Sequence, residues 1–151
     1  MGDLKSILLV EDDPRDRELT LEALAEYNLA NEVVTLGDGA ETLDYLYCRG
    51  DVKNNPVAKP AVILLDLKLP KIDGLEVLRT IKTDEELKLI PVVMLTSSRE
   101  ERDLVESYKL GVNAYVVKPV DFQQFVEAVK QVGVFWAIIN ERPPGSLSKG
   151  K

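Results

Sequence analysis

The chain has 151 residues, enough for one domain whose hydrophobic core needs neither disulfides nor a structural metal. Its 26 acidic residues outnumber its 19 basic residues, which argues against nucleic acid as a partner because contacts to phosphate backbones need positive charge. The sequence contains no histidine, which excludes histidine triads, imidazole metal ligands and a phosphohistidine. Any chemistry must therefore use carboxylates, hydroxyls and lysine.

The start of the chain and its cysteine content bear on location. The sequence MGDLKSILLVEDD lacks a signal-peptide pattern, and its apolar run is too short to span a bilayer. The single cysteine, Cys48, cannot form an internal disulfide. We therefore expect a cytoplasmic protein that does not act in a membrane.

Short aliphatic runs alternate with amphipathic segments along the chain. The runs predict five strands, at residues 6–10, 32–36, 61–66, 90–95 and 114–117. The amphipathic segments predict five helices, at residues 14–27, 39–47, 74–83, 99–110 and 122–139. Strict alternation of this kind predicts an α/β fold, a doubly wound, five-stranded parallel sheet with helices on both faces. We expect residues 1–139 to form this domain and residues 140–151 to be a disordered tail.

Local capping signals place the starts of three helices. Asp13 followed by Pro14 predicts a helix cap and then a proline at the first helical position. Ser98-x-x-Glu101 and Asp121-x-x-Gln124 both have the spacing of a capping box. Asp13 is therefore interpreted as a helix cap rather than as a site residue.

Chemically active side chains follow the ends of the predicted strands. The residues at these ends are, in strand order, Glu11, Asp12 and Asp13 for the first strand, Asp66 for the third, Thr96, Ser97 and Ser98 for the fourth, and Lys118 and Pro119 for the fifth. In open α/β sheets, ligands bind beyond these carboxyl ends. Three converging carboxylates repel one another and need raised pKa values or a cation, and an oxygen-only ligand set favours Mg²⁺. With the lysine and the hydroxyl as an anion-binding wall, this layout suits phosphoryl transfer to Asp66.

Four motifs resemble those of the response-regulator receiver domain in order and spacing. They are ILLVEDDP, LLDLKLPKIDGLEVL, PVVMLTSS and GVNAYVVKP, and they cover residues 5 to about 130. The resemblance implies a flavodoxin-like receiver topology and a Mg²⁺-dependent switch in which Asp66 accepts a phosphoryl group from a histidine kinase. It also implies a signalling protein rather than an enzyme, with at most slow self-catalysed phosphorylation and dephosphorylation.

The resemblance assigns metal-binding roles to four residues. It implies that Asp12 binds Mg²⁺ directly, that Glu11 binds it through water, and that Asp66 is a ligand as well as the phosphoacceptor. It further implies that Lys68 offers its backbone carbonyl to the metal.

The resemblance also assigns the residues on the phosphoryl side. Thr96 should bond a phosphoryl oxygen, Lys118 should ion-pair with the phosphate, and the Lys118–Pro119 peptide should be cis. Tyr115 should be the aromatic side chain that changes rotamer, with the signal leaving through the fourth helix, fifth strand and fifth helix. Lys68 and Ser98, two residues beyond Asp66 and Thr96, should set the lifetime of the phosphoryl group.

Three features are similar to the single-domain regulators that pair with bacterial and cyanobacterial phytochromes. They are the lack of an effector domain, the long loop at residues 49–60 and the terminal sequence VFWAI. This similarity implies a phytochrome as the partner kinase.

The predicted fifth helix carries more apolar surface than one face of a sheet can cover. Residues 135–139 are consecutively apolar, which indicates either a second apolar surface or an over-long core helix that folds back on its own domain. We expect the second apolar surface, and hence a two-fold homodimer. The predicted dimer residues are Phe125, Phe135, Trp136 and Ile139.

Two other classes of protein share parts of the pattern. A flavodoxin-like cofactor binder would need a phosphate-binding loop after the first strand, where EDDPRD instead carries negative charge. An aspartate-nucleophile phosphatase of the haloacid-dehalogenase type would need a second acid two residues after Asp66, where this chain has Lys68. The phosphatase remains the alternative, and rapid turnover of a phosphate ester would favour it.

Overall fold

The computed structural model describes residues 6–25, 32–47, 59–112 and 114–134. Within these ranges, one parallel sheet contains the strands β1 (Ile7–Val10), β2 (Val33–Leu36), β3 (Val62–Asp66), β4 (Val92–Thr96) and β5 (Ala114–Val117). The strand order is β2-β1-β3-β4-β5. The predicted doubly wound sheet is therefore confirmed, and its strand order reverses between β1 and β3, where such folds bind ligands.

Helices connect the successive strands. They are α1 (Pro14–Leu24), α2 (Gly39–Leu46), α3 (Gly74–Thr83), α4 (Arg99–Ser107) and α5 (Phe122–Gln131), with a short 3₁₀ helix at Leu87–Leu89 before β4. The side chains of Asp13, Ser98 and Asp121 accept hydrogen bonds from backbone N–H groups in the first turns of α1, α4 and α5. The three predicted caps are therefore confirmed. None of the described helices is long and apolar enough to cross a membrane.

The sheet separates two hydrophobic clusters, which explains why the central strands are apolar on both faces. Ile7 and Leu9 of β1 lie in the cluster that also contains Phe125 of α5. Leu8 and Val10, the alternate residues of the same strand, lie in the opposite cluster with the helices α2, α3 and α4. Because successive side chains of a strand point to opposite faces, a central strand covered on both sides has no polar position until it ends.

The fifth helix is shorter than predicted. α5 ends at Gln131, and Gly133 has a φ of 81°, in the left-handed region. The Gly133 N–H donates to the Lys130 carbonyl at 3.1 Å, and the Val134 N–H donates to the Val129 carbonyl at 3.0 Å. This pair of bonds is a Schellman cap, which satisfies the last carbonyls of a helix and stops it. The prediction of one continuous helix through residue 139 is therefore wrong.

The early end of α5 bears on the predicted dimer surface. Phe125 is 0% exposed and packs in the core cluster beneath α5, so assigning it to a dimer contact is wrong. Phe135, Trp136 and Ile139 lie outside the described residues, as does the predicted tail at residues 140–151. The homodimer stays a prediction, without the continuous apolar helix from which it was inferred.

The fourth helix also ends early. α4 ends at Ser107 and not at residue 110, as the sequence predicted. Two residues later, Lys109 has a φ of 54°. Within the described residues, α1 ends at Leu24. The predicted end of this helix, residue 27, lies outside the described part of the chain.

Candidate functional site

The carboxyl ends of the sheet strands bring the predicted acids together. Glu11 and Asp12 directly follow β1, and Asp66 is the last residue of its neighbour β3. One carboxylate oxygen from each of these residues lies within 4.8 Å of the other two. Glu11 and Asp66 are buried, whereas Asp12 is exposed, so the acidic group opens to solvent on the Asp12 side.

Lys118 supplies the positive charge at this edge of the sheet. Its Nζ lies 3.2 Å from Asp66 Oδ2, 3.3 Å from Glu11 Oε1 and 3.2 Å from Asp16 Oδ2. An ammonium has three N–H donors, so these three carboxylates can occupy all of them. Asp16 was not predicted from the sequence, although α1 begins at the strand end and its first turn must therefore lie at the same edge.

The charges of the cluster are strongly interdependent. Burial, followed by the charge of Asp66, raises the pKa of the Glu11 carboxyl from 4.5 to about 7. Burial also raises the pKa of Asp66, although the charge of Lys118 opposes the effect. Burial alone would lower the pKa of Lys118, but the charges of Asp66 and Glu11 outweigh it, and that pKa lies above its ordinary value. The site therefore holds a permanent cation beside two acids that ionise reluctantly.

Backbone contacts hold Glu11 in position. The Arg17 guanidinium donates to the Glu11 carbonyl oxygen from Nη2 at 2.7 Å and from Nε at 3.2 Å. The Asp13 N–H donates to Glu11 Oε2 at 3.2 Å, while the Asp13 side chain caps α1. The start of α1 is thus tied to the acid that it follows.

A glycine allows the loop after Asp66 to turn tightly. The Gly74 N–H donates to the Leu67 carbonyl at 2.9 Å, and a Cβ on Gly74 would overlap the main-chain carbonyl oxygens of Asp66 and Leu67. Only a residue without a side chain permits this close approach. The first residue of α3 therefore packs directly against the backbone of Asp66.

Thr96 lies at the end of β4 between β3 and β5. The Lys118 N–H donates to the Thr96 carbonyl at 2.8 Å, which fixes the position of Lys118 relative to β4. The Thr96 hydroxyl is buried and has no hydrogen-bond partner among the described residues. A buried hydroxyl without a partner is costly, and such groups in native proteins commonly mark functional sites. The predicted cis geometry of the Lys118–Pro119 peptide is confirmed.

Tyr115 lies in β5 and packs against the same hydrophobic cluster as α4. The Arg102 guanidinium of α4 lies 4.7 Å from the centre of the Tyr115 ring, and Arg102 Nε lies 3.3 Å from Glu106 Oε2. The Tyr115 hydroxyl is buried and, within the described part of the chain, lacks a hydrogen-bond partner. Burial, and then the charge of Glu106, raises the pKa of this hydroxyl.

The two residues predicted to set the phosphoryl lifetime lie on the loops that border the acids. Lys68 follows β3 with an exposed side chain, and its backbone N–H hydrogen-bonds the Asp66 carboxylate, which favours the charged form of Asp66. Ser98 caps α4 by accepting a hydrogen bond from the Glu101 N–H at 3.2 Å. The carboxylate of Glu101, which the sequence predicted only as part of a capping box, contacts both loops.

The donor set of this site suits Mg²⁺. Glu11, Asp12 and Asp66 offer three carboxylate oxygens close enough to share one cation. Mg²⁺ prefers oxygen ligands, commonly one or two carboxylates, and retains several waters, which the exposed Asp12 side can admit. A bound cation would also offset the repulsion that contributes to the raised pKa of Glu11.

The fold and this set of strand-end residues define a receiver domain. The sequence matches the family described as "Response regulator receiver domain" over residues 7–130. The chain belongs to this family.

Similar proteins include regulators named for phytochromes. The response regulator Rcp1 of Synechocystis is 42% identical over 132 residues, covering 87% of this chain and 88% of Rcp1. The structure of the bacteriophytochrome response regulator AtBRR is 64% identical with a TM-score of 0.87, covering 93% of this chain and all (100%) of that one. The structure of the phosphorylated cyanobacterial phytochrome response regulator RcpA is 46% identical with a TM-score of 0.71, covering 89% and 94% of the two chains. This chain is thus related to phytochrome response regulators.

Proposed function

We propose that this protein is a phosphoacceptor switch in which Asp66 takes a phosphoryl group from a histidine kinase with the help of Mg²⁺. The observation that carries the proposal is the position of Asp66, whose carboxylate belongs to a group of three acids and lies 3.2 Å from the Lys118 ammonium. An acidic group that can hold a metal ion, with a fixed ammonium beside it, is the arrangement that phosphoryl transfer to a carboxylate needs.

The reaction requires Asp66 in its ionised form. A carboxylate oxygen of Asp66 forms the new bond to phosphorus, while the bond from phosphorus to the kinase histidine breaks and its electron pair returns to the imidazole. Lys118, which lies 3.2 Å from Asp66 Oδ2, favours the ionised form of Asp66 against the effect of burial, and it can then pair with the charge of the transferred group. Mg²⁺, which Glu11, Asp12 and Asp66 would hold, would neutralise charge at the phosphoryl oxygens.

Thr96 and Tyr115 are the residues we propose to carry the signal away from Asp66. The unpartnered hydroxyl of Thr96 suits a bond to a phosphoryl oxygen, and Tyr115 is the aromatic side chain that changes rotamer in response. Because Tyr115 contacts Arg102 of α4, a new rotamer of Tyr115 would repack the surface of α4, β5 and α5. Such a change is a population shift between two packed states.

The names of similar proteins support a phytochrome as the kinase. Both AtBRR and RcpA are phytochrome response regulators by their names, and each covers most of this chain. We also propose that the protein is not an enzyme, since Lys68 occupies the position at which an aspartate-nucleophile phosphatase would need an acid.

Incubation with acetyl phosphate and Mg²⁺, followed by intact mass measurement, tests the function directly. We expect one added phosphoryl group, none in the presence of EDTA and none in Asp66→Asn. Asp103→Asn, which changes an exposed aspartate on α4, is the matched control and should be modified like the wild type.

Two results would contradict the proposal. An unchanged mass of the wild type with Mg²⁺ present would show that the protein is not a phosphoacceptor under these conditions. Equal modification of Asp66→Asn would show that another residue accepts the phosphoryl group. Rapid multiple turnover of a generic phosphate ester would favour the phosphatase instead.

A further inference from the structure

The carboxylate of Glu101 connects the two loops that border Asp66 and Thr96. Glu101 Oε1 accepts a hydrogen bond from the Ser97 N–H at 2.7 Å, and Glu101 Oε2 lies 3.7 Å from Lys68 Nζ. Ser97 directly follows Thr96, and Lys68 comes two residues after Asp66. An anionic side chain of α4 thus binds a donor from each loop.

The bond to Ser97 alone would be an ordinary feature of a helix start. Glu41, at the equivalent position of α2, accepts the same kind of hydrogen bond from the Gly37 N–H at 3.0 Å. Glu101 differs because it also meets Lys68, and because its side chain is only 15% exposed although the side chain of Lys68 is 82% exposed. Helix capping therefore explains one of its two contacts.

We propose that Glu101 is a positioning residue that holds both loops in the resting state and competes with the phosphoryl group for them. The inference rests on the proposed function of Asp66. A phosphoryl group on Asp66 brings a charge of about −2 and three acceptor oxygens next to the loops that Glu101 occupies. The two anions repel each other, and the Ser97 N–H and the Lys68 ammonium are donors that either of them can use.

The hydrogen bond between Ser97 and Glu101 also links the phosphorylation site to α4. The Glu101 N–H donates to the Ser98 side chain, so the Glu101 residue is part of the first turn that Ser98 caps. When the phosphoryl group draws Ser97 away from the Glu101 carboxylate, the first turn of α4 loses a tie to the end of β4. Arg102, which lies over the Tyr115 ring, is the next residue of that turn.

Beryllofluoride, bound with Mg²⁺ as a stand-in for the phosphoryl group, tests this competition without covalent chemistry. Glu101→Gln removes the charge but keeps an acceptor oxygen for the Ser97 N–H, so we expect the fold to be retained. Its affinity for beryllofluoride should rise about fivefold, the factor that corresponds to the roughly 1 kcal/mol of an exposed ion pair. Glu101→Asp, which keeps the charge but shortens the reach, should show a gain of the same kind.

Two control variants distinguish competition at Glu101 from a general effect of charge on α4 and from a general effect of helix capping. Glu100→Gln removes the same charge from the same helix turn, and Glu41→Gln weakens the equivalent bond at α2. Both should bind beryllofluoride within about twofold of the wild type, the range expected of surface substitutions. Urea unfolding of all variants checks that differences in affinity do not follow differences in stability.

The Ser97 amide resonance provides a readout in the free protein. In free Glu101→Gln it should lie part of the way towards its position in the beryllofluoride complex of the wild type, whereas in Glu100→Gln it should not move. Equal affinities of Glu101→Gln and Glu100→Gln, or an unmoved Ser97 resonance, would overturn the role of Glu101 alone. A wild type that neither binds beryllofluoride nor gains a phosphoryl group would overturn the proposed function and, with it, this inference.

Discussion

Replacing the phosphoacceptor should make the metal-free protein more stable. Asp66→Asn keeps the side-chain volume but removes the charge of a buried carboxylate. The pKa of Asp66 is raised, chiefly by burial, which means that its surroundings on balance disfavour the charged form. A neutral amide at this position should therefore relieve the fold of an unfavourable charge.

The geometry of the cluster sets the size of this gain. At an effective dielectric constant of about 20, the 3.2 Å pair with Lys118 is worth about 5 kcal/mol, and repulsion from a Glu11 oxygen within 4.8 Å costs at least about 3.5 kcal/mol. The remaining repulsion from the exposed Asp12 is weaker, but the desolvation of a buried carboxylate costs several kcal/mol more. Lys118 also keeps its bonds to Glu11 and Asp16. We expect the balance to favour Asp66→Asn by about 2 kcal/mol.

The stability that Asp66→Asn gains over the wild type should increase with pH. The folded pKa of Glu11, about 7, lies above its ordinary value of 4.5, so its charge destabilises the fold once the carboxyl ionises. This penalty is absent below about pH 4.5 and complete above about pH 7, and the raised pKa of Asp66 acts in the same sense. The advantage of Asp66→Asn should therefore be largest above pH 7 and should shrink as the pH falls towards 4.5.

Urea unfolding in EDTA, at pH 8 and again near pH 5, measures this difference. Asp103→Asn on the exposed surface of α4 is the control and should change the free energy of unfolding by less than about 0.5 kcal/mol. If Asp66→Asn were clearly less stable than the wild type at pH 8, the charge of Asp66 would be structural, and the reasoning from its raised pKa would be refuted.

Thr96→Val replaces a buried hydroxyl that has no partner among the described residues, so the free energy of urea unfolding should hold or rise by about 1 kcal/mol. The same variant should lose the NMR changes that beryllofluoride causes at Tyr115 and α4 in the wild type, and a full response would contradict the proposed role of Thr96. We further expect light scattering to find a homodimer at micromolar concentration, weakened by Phe135→Ala combined with Trp136→Ala. A wild type that stays monomeric with and without beryllofluoride would exclude the dimer.

Local sequence determined the features that depend on neighbouring residues. The Asp13–Pro14 pair predicted the first residue of α1 because a cap and a fixed proline φ act over a few residues. The aliphatic runs predicted the strands, since a strand covered on both faces has no polar position before its end. Because all parallel strands end at one edge, the same runs also placed Asp66 and Lys118 at the same edge of the sheet.

Both the local sequence and the tertiary structure determine where α5 ends. The apolar pattern continues past Gly133 and predicted a longer helix, because periodicity does not report the sign of φ. The glycine itself is a local stop signal, and the structure shows that it adopts the left-handed cap while Val134 returns to the core.

Only the tertiary structure decided which charges share a partner. Asp16 and Lys118 are 102 residues apart, and Glu101 meets Lys68 across two loops, so no local pattern links them. These contacts follow from the strand order, which places β3 between β1 and β4, and β5 next to β4. The sequence by itself determined which chemical groups reach this edge of the sheet. The packing of the helices against that edge decided which group neutralises which.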